Sequence, residues 1–276
     1  MVKRVLVGVV FLPLIILLVL FAPQWAFACF VALITSCACW ELLHATAKLP
    51  QGVYFCACAA AVVIPFGFLL GVDTGVLVLG FAALGLGLVS FGVAIHAYDS
   101  AGSIPYEDVT KCLFAGILMP ALLSALVGLM GYGSEGHGRM YVMLTIGLAF
   151  LTDAGAYFAG VLLGRHRGIT RVSPNKSAEG YVGGLVTGVL FSVVFGLVLQ
   201  LAMGFTVHYL PMIVYGLAGA LVTEDGDQSF SLIKREYGIK DYGKLLPGHG
   251  GMMDRFDSMV FCAPTILLLS SCFSGF

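Results

Sequence analysis

The sequence reads as an all-α, polytopic membrane protein with about nine transmembrane helices and a cytoplasmic N-terminus. Three observations carry that reading. Of its 276 residues 59% are hydrophobic and only 11% charged, with a mean hydropathy of +1.00, too apolar for a domain that must present a wetted surface. Apolar runs of roughly 18 residues or more recur along the chain, long enough to cross a hydrocarbon core of about 30 Å. They lack the period-2 alternation of barrel strands, and a backbone in lipid must satisfy its own polar groups, so the runs are helices.

The spans are expected at residues 5–22, 25–44, 52–71, 75–98, 111–131, 140–163, 181–202, 207–223 and 257–273. The first follows Lys3 and Arg4 as a signal peptide would, but its apolar length and the lack of a convincing cleavage site favour a retained helix. The second and third carry the Cys-Ala-Cys triplets at Cys37–Cys39 and Cys56–Cys58, read as packing of small apolar residues rather than metal or redox pairs. Glycines of the fourth, from Gly80 to Gly87, are read as points of close helix approach. Glu41, His44, Asp73, Asp99, Glu107 and Asp108 fall at expected helix ends or in short loops, where solvated or snorkelling groups are the expectation. With the N-terminus inside, every basic residue except Arg139 lies in a cytoplasmic segment, as the positive-inside rule requires. Residues 1–135 supply N-terminal helices and residues 136–276 supply C-terminal helices with the cytoplasmic catalytic loops, the whole forming one membrane unit. The net charge of −1 and the lack of a basic stripe with interleaved aromatics exclude a nucleic-acid partner.

Chemistry concentrates in the second half. Asp153 falls well inside the sixth span, where an ionisable side chain is costly unless it faces a polar cavity. The following loop, GRHRGITRVSPNKSAEG, brings Lys176, Ser177 and Glu179 between a Ser-Pro turn and Gly180, a shape suited to binding. The longest polar stretch, Thr223 to Ser258, mixes Glu224, Asp225, Asp227, Asp241, Asp254 and Asp257 with Lys234, Arg235, Lys240, Lys244 and Arg255. Such a mixture suits a metal-bound polyphosphate, with aspartate oxygens taking Mg²⁺ and the cations neutralising phosphate oxygens. Pro247, Gly248, Gly250 and Gly251 make a side-chain-poor turn whose amides can approach an anion, and Asp254 and Asp257 share one face of the helix that follows. No zinc-type spacing accompanies His249.

The run SLIKREYGIKDYGKLLPGHGGMMDRFD, Ser231 to Asp257, resembles the diagnostic motif of the phosphatidate cytidylyltransferases, or CDP-diacylglycerol synthases, and TDAGAYFAG and SPNKSAEG resemble upstream segments of that family. One position departs from its pattern: Phe230 stands where the family commonly has an acidic residue. The resemblance implies transfer of CMP from CTP to phosphatidic acid, with Mg²⁺ as cofactor, as two divalent or mixed metal ions. It implies metal binding by Asp227, Asp254 and Asp257, with Asp153 a further candidate near the bilayer, and phosphate binding by Lys234, Arg235, Lys240 and Arg255. Asp241 joins the catalytic group, and His249 positions phosphate. Lys176, Ser177, Glu179, Ser231, Gly250 and Gly251 line the substrates. CTP, phosphatidic acid and the bilayer are the expected partners, and the glycine-rich helices are compatible with a homodimer. An ion-coupled secondary transporter and a CTP-dependent polyprenol- or phytol-type lipid kinase are the competing readings; the former lacks an internal repeat of the polar stretch.

Overall fold

The computed structural model describes residues 13–98, 102–133, 136–168, 170, 172–174, 176–245 and 250–276. Lys3, Arg4, Asp99, Pro247, Gly248 and His249, all singled out in the sequence, lie outside them. A helical run over residues 13–21 is α1. It is followed by α2 (Gln24–Thr46), α3 (Gln51–Leu69), α4 (Val72–His96), α5 (Tyr106–Leu113), a π-helical turn (Phe114–Leu118), α6 (Met119–Met130), α7 (His137–Leu163), α8 (Ala178–Met203), α9 (Tyr209–Glu236) and α10 (Met253–Cys272). Pro120 is the second residue of α6; it has no N–H to give and its ring crowds the preceding turn, and the wider π turn just before α6 relieves both constraints.

Among the described residues seven helices are long and apolar enough to cross a membrane: α2, α3, α4, the continuous Tyr106–Met130 helix, α7, α8 and α10. The chain is a multi-pass, all-α membrane protein. Two of the nine expected spans stand apart from this count. The first lies partly outside the described residues. The eighth, expected over 207–223, opens α9, which continues to Glu236 and is helical through the acidic run that the sequence presents as a loop. Acidic and basic residues do not break a helix when each finds a partner, and the partners of this run are described below.

The chain divides into two compact units, one reaching through Gly131 and adding Tyr237–Phe256, the other made of Tyr132–Glu236 and Asp257–Phe276. In the first, α3 packs against α2, α4 and α6. Outward-facing Leu77, Phe81, Leu84, Leu88 and Ile95 of α4 are exposed, as a helix bathed in lipid requires. Gly80, Gly85 and Gly87 face open space, so the packing role expected for them is incorrect. Close approach occurs instead at Gly116, where a Cβ would lie 2.7 Å from Leu86, and at Gly67, 2.8 Å from Val78. Two carboxylates expected in solvent are also buried. Asp108 accepts from the Lys48 amide (3.0 Å) and Lys111 Nζ (2.9 Å), and Glu41 reaches the start of α10. Glu107 is exposed as expected.

In the second unit α7 packs on α8 and both pack on α9. Glycines replace side chains where the axes converge: a Cβ at Gly188 would lie 2.7 Å from Ala220, and one at Gly216 2.7 Å from the Val189 backbone. These contacts bring the acidic turn of α9 against α8 and the second half of α7.

Candidate active site

Ser177 starts α8. Its backbone is extended and its hydroxyl accepts from the Gly180 amide at 3.1 Å, the N-cap role serine favours. The preceding loop folds back on itself, with Arg167 and Ser177 in an isolated antiparallel bridge, and Gly168 at φ +76° makes the reversal that a side chain would oppose. Lys176 is thereby held at the mouth of the α7–α8 pair.

Its ammonium lies 2.7 Å from Glu224 Oε2 and 2.8 Å from Asp227 Oδ2, two carboxylates three residues apart and hence on one face of α9. Burial by itself would lower the Lys176 pKa; Asp227 and Glu224 outweigh it and raise the pKa, so the lysine stays charged. Glu224 is fully buried, and its Oε1 finds no hydrogen-bond partner among the described residues. Gly184 makes room for it, since a Cβ there would sit 2.7 Å from Oε1. Next to this cluster Tyr181 donates to Asp225 Oδ1 at 3.2 Å and accepts from Gln228 Nε2 at 2.7 Å.

Asp153, on α7, accepts from Ser258 Oγ at 2.9 Å. Asp257, 5% exposed on α10, accepts from the Ser258 amide and stands 3.7 Å from Lys234 Nζ of α9. A cavity of about 480 Å³ in this unit is lined by Asp153, Tyr157, Arg167, Lys176, Glu224 and Asp227. Its lining combines carboxylates and cations with apolar surface from Tyr157 and Val161, which fits an anionic group attached to an apolar body.

Glu179 accepts from the backbone and ring of His166 on the loop, with 2.6 Å to Nδ1, and Arg235 Nε donates to the Val172 carbonyl at 3.3 Å. Ser231 is half-buried on α9. In the first unit Asp254 Oδ2 accepts from the amides of Tyr242 and Gly251, both at 2.9 Å, which closes the turn containing Gly250 at φ +82°. Asp241, Lys240 and Arg255 are exposed there. Sequence reasoning did not assign Glu224 or Ser258 to the site. The three-residue interval between Glu224 and Asp227 would have flagged Glu224 had that run been read as helix.

The donor chemistry suits a hard divalent cation: Asp227 and Asp257 offer carboxylate oxygens, and one buried oxygen of Glu224 is unsatisfied. Among the described residues no group of three or more His, Cys, Asp or Glu side chains converges to hold a metal, and Lys176 stands between two of the carboxylates. Mg²⁺ is commonly held by one or two carboxylates with substrate phosphates and water completing its shell, so these residues fit it as a substrate-assisted site.

The cytidylyltransferase family profile matches residues 2–273. A phosphatidate cytidylyltransferase of Staphylococcus epidermidis is 34% identical over 186 residues, which cover 67% of this chain and 68% of that protein. Its counterpart from Bacillus subtilis is 38% identical over 138 residues, half of each chain, and that of Staphylococcus saprophyticus 31% over 182 residues, 66% of each.

Proposed function

The chain belongs to the cytidylyltransferase family, and on that premise we propose that it transfers CMP from CTP to phosphatidic acid, giving CDP-diacylglycerol and pyrophosphate. The observation that best supports this reading is the Lys176–Glu224–Asp227 cluster in the lining of a cavity that also carries apolar surface. In the reaction a phosphate oxygen of phosphatidic acid forms a bond to the α-phosphorus of CTP, and the bond to the bridging oxygen of pyrophosphate breaks. No proton need be removed from the nucleophile, which is already anionic. The difficulty is the meeting of two anions, so catalysis rests on positioned cations.

Asp227 and Asp257 would hold Mg²⁺, and the motif assigns Asp254 to the same role. The metal would supply charge neutralisation of the polyphosphate and of the departing pyrophosphate. Lys176 exchanges its two carboxylate partners for phosphate oxygens when substrate arrives, since a flexible ammonium kept charged by anionic neighbours can pass from one anion to another without a proton transfer. Lys234, held near Asp257, and Arg235, Lys240 and Arg255 neutralise the remaining phosphate charge, and His249 positions phosphate. Asp153 and Ser258 orient the lipid headgroup. The lipid keeps its tails in the bilayer and meets CTP on the cytoplasmic side, in the plasma membrane of a bacterial cell. With nine spans and the N-terminus inside, the basic loops would lie on that side.

Purified protein given α-labelled CTP, phosphatidic acid and Mg²⁺ should place label in a CDP-lipid, and chelation should abolish turnover until Mg²⁺ is restored. Transfer of the γ-phosphate instead, or no Mg²⁺-dependent turnover, would overturn the reading. Asp257→Asn should lower kcat by about a hundredfold or more while leaving the protein folded in the membrane.

A further inference from the structure

Glu41 lies in the last two turns of α2, far in sequence from the motif, yet the residue is 8% exposed and its carboxylate meets the first residue of α10. Its Oε2 accepts from the Met253 amide at 2.9 Å. The residue before α10 is Met252, which has no side-chain oxygen to cap the helix, so one of the orphan amides there is satisfied by a side chain 212 residues away. A negative charge at a helix N-terminus is favoured in its own right.

The surroundings are shaped for this group. A Cβ at Gly243 or at Gly251 would overlap the Glu41 carboxylate, so both glycines leave the space that it fills. Gly251 also donates its amide to Asp254 Oδ2, as does Tyr242. Glu41 and Asp254 therefore grip the same turn, one through the Met253 amide and the other through those of Tyr242 and Gly251. The second oxygen of Glu41 is buried and has no hydrogen-bond partner among the described residues. A carboxylate held that way at a cost in desolvation has a local purpose that solvation cannot provide.

We propose that Glu41 is a positioning residue for the cytidylyl transfer: it caps α10 from outside and fixes the turn that orients Asp254. It touches neither substrate nor metal and acts through the Met253 amide. The turnover part of its test rests on the function proposed above; the structural part does not.

The experiment uses the full chain in lipid nanodiscs and compares wild type with Glu41→Gln, Glu41→Asp and Glu41→Ala in CMP transfer, Mg²⁺ titration and hydrogen exchange of the segment from Gly250 to Phe256. Glu41→Gln keeps an acceptor at the same reach and should stay within about fivefold of wild-type kcat. Glu41→Ala should lose about tenfold or more in kcat, because a small misplacement of a reacting group is costly. It should also need more Mg²⁺ for half-saturation and exchange faster over that segment. Glu41→Asp keeps the charge but withdraws the acceptor, and should behave as Glu41→Ala does; this covers the case in which alanine fails to fold. Wild-type kcat and exchange in the aspartate or alanine variant would overturn the proposal. So would a glutamine variant as impaired as alanine, which would mean that the charge itself is used in the chemistry. If wild type transfers no CMP, the proposed function fails, while the exchange measurements still decide whether Glu41 holds the turn.

Discussion

Lys176 neutralises a carboxylate that has no access to water, so its removal should be felt in stability before it is felt in chemistry. Lys176→Met leaves Glu224 buried and unpaired and should cost about 3 kcal/mol, measured as a fall in the thermal midpoint. Adding Glu224→Gln to it should restore most of that loss but none of the turnover, and a double variant as unstable as the single would show that the pair is not the source. Phe230, the departure from the family pattern, is 1% exposed. Restoring an acid there by Phe230→Glu should lower stability rather than improve activity, because the carboxylate would replace a buried ring. At this scale the motif made the residue types legible, but not their partners. Glu179 was expected at the substrate and is bound to His166, while Glu41 was expected in water and is enclosed.

Helices were the most legible feature, and their ends the least. Span boundaries expected from apolar runs agree closely with α2, α3, α7 and α8 because hydropathy is a local property of the chain. For α9 it misleads: the apolar signal ends near Thr223, yet the helix runs on to Glu236 because Glu224, Asp227 and Lys234 are paired within its unit. Glycine roles required the packing as well. Gly216→Ala would push a Cβ into the backbone of α8, with no flexible side chain to yield, and should cost about 1–3 kcal/mol. Gly85→Ala meets open space and should be neutral or stabilising by up to about 1 kcal/mol, since alanine favours a helix. Thermal melts of the two single variants compare them directly; similar losses at both positions would refute the packing assignment.

For the whole molecule, the distribution of lysine and arginine carries the expected topology. A reporter active only outside the cytoplasm should show activity when fused after Gly133 and none when fused after Gly168, because Arg139 is the sole basic residue assigned outside. The same activity at both points would break the nine-span topology. Exposed apolar residues on α4 and α8 are explained at this scale too: in water they would drive aggregation, whereas lipid is their solvent.

By itself the sequence determined that this chain is a multi-pass helical membrane protein of the cytidylyltransferase family. Lipid selects apolar residues one position at a time, and a phosphoryl-transfer motif is written in residue types at fixed spacing. Only the tertiary structure decided which of its many carboxylates meets which cation, that the acidic run is helix rather than loop, and that Glu41 belongs beside Met253. Those outcomes depend on how helices rotate and approach, and a contact across 212 residues leaves no mark in any local stretch of the chain.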